Sequence, residues 1–333
     1  MPSPAISVAM SVYNGERFLA AAIESILAQT FSDFEFLIVD DGSQDGTAAI
    51  IRAYAGQDRR IRPIIRENRG LVASLNQLLA EARAPLVARM DGDDVSHPER
   101  FARQIGFLAG HPDHGVVGSR TIDIDEQGEA FQLNLAEHPL THDEFLANIT
   151  DNGPLLAHPT VMFRREVVLA AGGYHPAFRH CEDYDLWLRL AHRTRIANLP
   201  ERLLHYRRSA GQVSNRHAIE QGIGVAISRF AYGERVAGRP DPTEHLAALP
   251  PIDALDALFG RPGVAREVRA HAARGLLYSA DAMGGAAFDL LLAHVAEGGR
   301  GRDLWKTVPR LVRFGQPARA MKLAMALAAR RAA

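Results

Sequence analysis

Cysteine and lysine are both scarce in this 333-residue sequence. Cys181 is the single cysteine, and of 38 lysines and arginines only Lys306 and Lys322 are lysine. A lone cysteine cannot form an internal disulfide, so a disulfide-stapled scaffold is excluded and nothing indicates an oxidising compartment. The formal net charge of −1 excludes a nucleic-acid binder that relies on bulk positive charge.

Long apolar runs are absent as well. No stretch approaches the ~20 apolar residues that a membrane-spanning helix needs, and the N-terminus lacks the basic start of a signal peptide. Hydrophobic residues make up 47% of the chain and charged residues 23%, as in a globular protein with a sizeable core. We therefore expect a cytoplasmic protein without nucleic-acid partners.

The first hundred residues alternate apolar, β-branched runs with amphipathic patterns. The runs predict four strands, at Ile6–Val12, Phe34–Val39, Ile61–Ile65 and Leu86–Met90. The patterns between them predict three helices, at Phe18–Leu27, Thr47–Tyr54 and Leu71–Leu79. Such repeated units predict an α/β fold with a mostly parallel sheet covered by helices on both faces. Ligands bind such sheets at the carboxyl ends of the strands.

Acidic clusters follow two of the predicted strands. Asp91-Gly-Asp93-Asp94 carries three carboxylates in four residues, and unpaired charge is costly to bury. Carboxylates alone repel a phosphate, but they hold Mg²⁺ or Mn²⁺, which in turn binds phosphate oxygens. The cluster therefore predicts a metal site for a phosphorylated ligand. The alternative is an ordinary turn in which Asp94 caps the next helix.

The other strand ends are less specific. A carboxylate of Asp40-Asp41 suits a ribose or a base, although a plain turn capped by Ser43 or Asp45 explains the pattern equally well. The turn after the first strand, residues 12–17, has one glycine, whereas the dinucleotide-binding fingerprint needs three. A dinucleotide cofactor is therefore disfavoured.

Several of these segments occur in order as parts of a larger pattern. They are Ser11–Leu19, Ile26–Phe31, Phe34–Thr47, Glu67–Leu71, Met90–Phe101, His158–Phe163, Gly172–Tyr174 and Cys181–Leu190. Together they resemble the family 2 glycosyltransferases, which have the GT-A fold. The resemblance covers the first two-thirds of the chain and fades after about Ser214.

The resemblance implies metal-dependent, inverting transfer of a sugar from a nucleotide diphosphate donor, with a UDP-sugar expected. The cofactor would be Mn²⁺ or Mg²⁺, and the acceptor a hydroxyl of a glycan or lipid-linked saccharide in cell-surface polysaccharide biosynthesis. The nucleotide-binding residues would be Ser11, Tyr13, Glu16, Asp41, Arg69, Asp91 and Asp93. The metal ligands would be Asp93 and Asp94, and Arg66 is an alternative to Arg69 as a phosphate or base contact.

The catalytic residues implied by the resemblance are Asp183, as the base that takes the acceptor proton, and its acidic neighbour Glu182. Without the resemblance, acids in a first helical turn are explained by the helix dipole. Many relatives carry a histidine after a Tyr-Arg pair, where this chain has Ser209, with His205 close by. The third protein ligand of the metal therefore stays open. The Gln-x-x-Arg-Trp motif of processive synthases is absent, which favours transfer of one sugar or a few.

The composition changes beyond about residue 215, where alanine, arginine and proline dominate. We expect a catalytic domain over residues 1–215 and a helical region over 216–333. Residues 300–333 carry nine basic side chains and one acidic one, with helices expected to break near Pro309 and Pro317. Three roles are open for this region: contact with the inner face of an anionic membrane, acceptor binding, or a contact between two copies of the chain.

Two alternatives to the enzyme belong to other classes. One is a catalytically degenerate scaffold that binds nucleotide sugars, which the presence of both acidic motifs disfavours. The other is a phosphohydrolase with Asp91 or Asp93 as nucleophile, which leaves Asp41 and Glu182 without a role.

Overall fold

The computed structural model describes residues 3–133, 136–209 and 217–329. The chain divides into a sheet-containing unit, Met1–His175 with Glu182–Ala210, and a helical unit, Pro176–Cys181 with Gly211–Ala333. The expected boundary at 215/216 falls within 210–216, outside the described residues, as do the basic residues Arg330 and Arg331.

The sheet-containing unit alternates strands and helices through its first hundred residues. Its strands are β1 Ile6–Val12, β2 Phe34–Asp41, β3 Ile61–Arg66, β4 Leu86–Asp91, β5 Val95–Ser96, β6 His114–Ile124, β7 Ala130–Phe131, β8 Met162–Arg164 and β9 Arg195–Arg207. Its helices are α1 Leu19–Leu27, α2 Thr47–Gln57, α3 Leu71–Glu81, α4 Arg100–Gly110, α5 His142–Asp151, α6 Arg165–Ala170 and α7 Glu182–Leu190.

These strands form one sheet in the order β3-β2-β1-β4-β8-β6-β9-β5, with β7 paired to β6. The first four strands in that order are parallel, as the sequence predicts. Beyond β4 the pairing is mixed, because β8 is antiparallel to both of its neighbours while β6 and β9 run parallel. The predicted α/β class with a helical C-terminal region is confirmed.

Burial explains why the first strands form the centre of this sheet. Every residue of β2 is buried, and β1 is buried except for Ser11. Strands that are buried on both faces read as near-continuous apolar runs, and the acids Asp40 and Asp41 appear only where β2 ends. The strand ends therefore carry the polar groups, and the apolar runs behind them form the core with α1.

The helical unit contains seven helices within its described residues. They are α8 Ala218–Val236, α9 Leu255–Leu258, α10 Val264–Gly275, α11 Ala280–Gly284, α12 Ala287–Ala296, α13 Arg302–Arg313 and α14 Pro317–Ala329. The last four pack around a common core that includes Phe288, Leu291, Leu304, Leu311 and Leu323. None of the described helices combines the length and the apolar character that crossing a bilayer requires. Contact with a membrane surface stays a prediction.

The expected break at Pro309 is wrong. Pro309 lies inside α13, whereas Pro317 does begin the next helix, α14. A proline inside a helix loses one backbone hydrogen bond. Leu304 and Leu311 on the same helix are buried, and packing of an apolar face is what stabilises most protein helices.

A glycine in the acidic turn after β2 provides a test of the fold. Gly42 has φ +78°, and a Cβ atom there would lie 2.5 Å from the backbone nitrogen of Asn68. Gly42→Ala should therefore lower the free energy of unfolding by about 1–3 kcal/mol, measured by urea denaturation. Gly56→Ala is the matched control, because nothing lies within 4 Å of that position in α2. It should stabilise the protein by up to about 1 kcal/mol, and equal losses in both variants would contradict the prediction.

Candidate active site

Three carboxylates converge where β4 ends. Asp91 is the last residue of β4 and lies in register with Ser11 on the neighbouring β1. One oxygen from each of Asp91, Asp93 and Asp94 lies within 4.8 Å of the other two. This is a spacing from which three oxygens can bind one divalent cation.

Asp94 is the most deeply buried of the three, with a relative exposure of 1%. Its Oδ1 accepts a 2.8 Å hydrogen bond from the backbone nitrogen of Arg207, whereas Oδ2 is buried and has no hydrogen-bond partner among the described residues. Burial raises the pKa of Asp94 well above its ordinary value, and the charges of Asp91 and Asp93 raise it further. A buried carboxylate oxygen without a hydrogen-bond partner is an atom that a divalent cation could bind.

The pKa of Asp93 is raised by the same two causes. Burial, followed by the negative charge of Asp91, raises the pKa of Asp93 to about 6. Negative charge on a neighbouring acid thus makes the ionised forms of Asp93 and Asp94 more costly. A divalent cation at this position would relieve that repulsion.

Sequence reasoning missed the arginines that hold this cluster. Arg89 is buried within β4 and forms an ion pair with Asp91. Arg207, at the end of β9, donates from its backbone to Asp94 and from Nε to the carbonyl of Asp93, the latter at 2.7 Å. Arg100 is fully buried and donates to the carbonyls of Arg89 and Pro159. The sequence does contain a signal for Arg89, because it is the one charged residue inside the apolar run Leu86–Met90.

Glu182 and Asp183 form a second acidic pair at the start of helix α7, and they interact electrostatically with Asp91 and Arg89. Burial, followed by the charge of Asp183, raises the pKa of Glu182 to about 8. Burial also raises the pKa of Asp183, although the backbone N–H of Tyr184 donates to its Oδ1 at 2.7 Å and opposes the rise. Arg89 lowers, and Asp91 raises, the pKa of both carboxyls. The structure thus brings together two motifs that lie about ninety residues apart in sequence.

The apolar side of α7 fixes this helix in place. Trp187 is buried with its ring edge-on to His158, at a centroid distance of 6.0 Å. His158 Nε2 and the Tyr174 hydroxyl are hydrogen-bonded at 2.9 Å, and burial lowers the pKa of the imidazole well below its ordinary value. His158 is therefore a neutral packing residue beneath the helix that carries Asp183.

The raised pKa of Glu182 predicts how stability depends on pH. A carboxyl whose pKa is higher in the folded state stabilises the protein while protonated, and that stability is lost as pH rises through the folded pKa. The melting temperature of the metal-free protein should therefore fall between about pH 4.5 and pH 8, that is, between the ordinary pKa of a glutamate and the folded pKa of Glu182. Glu182→Gln, which cannot ionise, should reduce that fall by about 2–4 °C. An equally steep fall in the variant would show that Glu182 does not titrate in this range.

Asp41 is held by the loop that follows β3. Its two oxygens accept 2.9 Å hydrogen bonds from the backbone nitrogens of Arg69 and Gly70. Arg66 forms an ion pair with Asp41, with 2.5 Å between Arg66 Nη1 and Asp41 Oδ1. Arg66 also donates to Ser74, so its guanidinium is already engaged. The Arg69 side chain is exposed at the carboxyl edge of the sheet. Of the two arginines weighed as phosphate or base contacts, Arg69 is the one that points to solvent.

The loop after β1 is tied to the loop after β2. Glu16 Oε2 accepts a 2.6 Å hydrogen bond from Gly46, and Asp45 accepts one from the backbone nitrogen of Glu16. Glu16 therefore joins the two loops through backbone contacts, and no described contact links it to the acidic cluster. Tyr13 is 52% exposed and free to meet a ligand with its ring.

The histidine considered as a further metal ligand lies in the sheet. His205 pairs with Val95 between β9 and β5, and burial lowers the pKa of its imidazole. Among the described residues, His205 does not belong to the group that could hold a metal with Asp93 and Asp94. Asp91 is the third member of that group.

Solved structures of other proteins share this architecture. The structure of residues 1–349 of S. aureus TarS in complex with UDP superposes with a TM-score of 0.56 and 15% identity, covering 96% of this chain and 89% of that one. Mannosyltransferase PcManGT from Pyrobaculum calidifontis, in complex with GDP-Man and Mn²⁺, gives a TM-score of 0.54 at 18% identity. That superposition covers 98% of this chain and 88% of the PcManGT chain. The fold is thus that of GT-A glycosyltransferases.

Sequence comparisons identify the family. The family model described as "Glycosyl transferase family 2" matches residues 7–170. EpsE of Bacillus subtilis (strain 168) is 37% identical over 230 residues, which are 67% of this chain and 81% of EpsE. The O-antigen biosynthesis glycosyltransferase WbnJ of Escherichia coli is 35% identical over 206 residues, 61% of this chain and 79% of WbnJ. The chain belongs to glycosyltransferase family 2, and the resemblance noted in its motifs is confirmed.

Proposed function

We propose that this glycosyltransferase is metal-dependent and inverting, and that it takes its sugar from a nucleoside diphosphate donor. The observation that carries the proposal is the buried Asp94 Oδ2, which lacks a partner among the described residues and lies beside Asp91 and Asp93. Carboxylate oxygens in this number suit Mg²⁺ or Mn²⁺, which bind through a few carboxylates together with substrate phosphates. Such a cation, when bound, supplies charge stabilisation for the departing diphosphate.

The nucleoside would lie along the carboxyl edge of β1 and β2. In this proposal the exposed ring of Tyr13 and the backbone near Ser11 contact the base, while Asp41 holds the loop that presents Arg69. A UDP-sugar is the preferred donor, which agrees with the UDP complex of TarS. The GDP-Man complex of PcManGT makes GDP-sugars the main competitor.

Asp183 would remove the proton from the acceptor hydroxyl as that oxygen attacks the anomeric carbon. Burial and the charge of Asp183 raise the pKa of Glu182 to about 8, which favours Glu182 as the member of the pair that keeps its proton at neutral pH. Asp183 is also partly exposed, whereas Glu182 is buried. A base must be reached by the acceptor, so exposure and charge both favour Asp183.

The acceptor would occupy an open cleft of about 840 Å³ in the sheet-containing unit. Its lining includes Arg120, Asp123, Phe131, Arg202 and Arg208. Arg208 directly follows the Arg207 that binds Asp94, and it pairs with Asp123 at 2.7 Å. A cleft of this volume suits a saccharide. The relative WbnJ of Escherichia coli is named for O-antigen biosynthesis, and the relative AmsE of Erwinia amylovora is named for amylovoran biosynthesis. We therefore propose a glycan or lipid-linked saccharide acceptor from cell-surface polysaccharide synthesis.

A thermal-shift panel tests the donor site directly. UDP, GDP, TDP and CDP are added with and without Mn²⁺, since a ligand that binds only the native state stabilises it by about 2.7 kcal/mol at a hundredfold excess over Kd. We expect UDP to shift the melting temperature only when Mn²⁺ is present. A metal-dependent shift with another nucleotide would reassign the base. No shift with any nucleotide, in a protein shown to be folded, would contradict the proposed donor site.

A further inference from the structure

Helix α13 has one apolar side that packs into the core of the helical unit and a second apolar strip that is exposed. Leu304 and Leu311 are buried in that core. Trp305 and Val312 are 38% and 55% exposed, and because they are seven residues apart they project from one side of the helix. The exposed surface around them, which we call the α13 face, also includes Arg302, Lys306, Pro309 and Arg313.

The α13 face is basic as well as apolar. At 3.6 residues per turn its six residues fall within about one-third of the helix circumference, and none of them is acidic. Asp303, the one acid of α13, is two positions from Trp305 and therefore projects from the opposite side of the helix. Lys306 approaches that acid only to 3.9 Å. Within the described residues, no hydrogen bond or ion pair engages the side chains of Arg302 and Arg313.

Other arginines of the last two helices are already used inside the helical unit. Arg310 lies on another side of α13 and donates a 3.1 Å hydrogen bond to the carbonyl of Leu277. Arg319 of α14 donates a 3.0 Å hydrogen bond to the carbonyl of Gly285. These two arginines hold neighbouring segments together. The cations of the α13 face have no such internal role, so their charges are available to a partner outside the chain.

The chemistry of the α13 face matches a lipid surface. A bilayer with anionic lipids is negative at the level of its phosphates and apolar beneath them. Tryptophan is enriched at that boundary, and arginine and lysine keep their charged ends at the phosphates while their stems lie along apolar groups. A second copy of the chain fits less well, because a two-fold contact would bring the same basic residues against each other.

From this arrangement we infer that the α13 face docks on an anionic bilayer surface. Trp305 and Val312 enter the boundary between the headgroups and the acyl chains. Arg302, Lys306 and Arg313 contact the lipid phosphates. Of the three roles that the sequence leaves open for residues 216–333, this inference selects contact with a membrane. It concerns the helical unit alone and does not rest on the proposed glycosyl transfer.

Vesicle binding by the full chain tests the inference. The protein is sedimented with vesicles of phosphatidylcholine alone and with vesicles that also contain about 30% phosphatidylglycerol. We expect binding only to the anionic vesicles, and weaker binding at high salt because exposed charges are screened. Fluorescence gives a second readout, since emission from Trp305 should shift to shorter wavelength when its ring leaves water. Trp305→Phe should lose that shift, which separates it from the signal of the buried Trp187.

A pair of arginine substitutions tests the charge of the α13 face. Arg302→Gln combined with Arg313→Gln should lower the vesicle partition coefficient about tenfold. The matched control combines Arg266→Gln with Arg274→Gln, because both residues are exposed on α10 and the change in net charge is the same. The control pair should lose less than about threefold.

A valine substitution tests the apolar strip. Val312→Ser should weaken vesicle binding by about threefold or more. Val236→Ser is its control, because Val236 is 58% exposed at the end of α8 in the same unit. Thermal unfolding of each variant shows that the protein is still folded.

Three results would overturn the inference: equal binding to neutral and anionic vesicles, binding to neither, or equal losses in the arginine pair and its control. Light scattering adds a fourth. A dimer that Val312→Ser dissociates, in a protein that does not bind vesicles, would assign the α13 face to a contact between two copies instead.

Discussion

Asp94→Asn is expected to abolish metal-dependent nucleotide binding while leaving the metal-free protein at least as stable as the wild type. Loss of a metal ligand should weaken donor binding in the presence of Mn²⁺ by at least about 100-fold, because even residues behind the ligands cost 10–100-fold in metal affinity. Asparagine retains an oxygen to accept the hydrogen bond from Arg207. It also removes the carboxyl group whose ionisation burial, Asp91 and Asp93 make costly, so the variant has no ionisable side chain at this buried position.

Calorimetry with UDP and Mn²⁺ measures the first effect, and thermal unfolding in the presence of a chelator measures the second. Asp33→Asn removes an exposed carboxylate at the start of the sheet and should change neither quantity. Retained nucleotide binding in Asp94→Asn would exclude this residue as a metal ligand. A large loss of stability without metal would instead give Asp94 a structural role.

The second large effect is expected at the proposed base. Asp183→Asn should lower kcat by about 10²–10⁴-fold, the usual contribution of a general base, and leave the Kd of the donor unchanged. The reason is that in the proposed mechanism Asp183 acts on the acceptor hydroxyl, whereas the donor would be held by the acidic cluster and the loops around Tyr13 and Asp41. Single-turnover transfer from a radiolabelled donor measures kcat, and nucleotide titration measures donor binding.

Glu182→Gln is the matched comparison for Asp183→Asn. Since Glu182 is protonated near neutral pH, glutamine replaces one neutral group by another, and kcat should fall less than about tenfold. A larger loss in Glu182→Gln than in Asp183→Asn would reverse the two roles. Simultaneous loss of donor binding and transfer in Asp183→Asn would contradict the division between donor site and base.

The fold of the first hundred residues was predictable because its signals are local. Each buried strand is a short apolar run, and each run ends at a polar turn, as at Asp40-Asp41 and Asp91–Asp94. The helical spacing of apolar residues between these strands is equally visible in the sequence. Strand β9, at Arg195–Arg207, was not predicted, because it contains Pro200 and exposed residues at its centre and pairs in an irregular register with β6.

The family and the list of candidate acids could also be taken from the motifs. Their roles could not be separated from the sequence alone, because Asp91, Asp93 and Asp94 are the same residue type within four positions. What distinguishes them is burial and hydrogen bonding, which leave Oδ2 of Asp94 unsatisfied and pair Asp91 with Arg89.

The amino-acid sequence by itself determined the α/β class, the family and the acidic residues at the strand ends, since all three are written in local patterns of residue type. The tertiary structure decided which distant groups share one site. Arg207 reaches Asp94 from a strand more than a hundred residues further along the chain, and Arg89 acts on both acidic motifs from within the sheet. Electrostatic coupling depends on distance and burial, and both are properties of the folded chain.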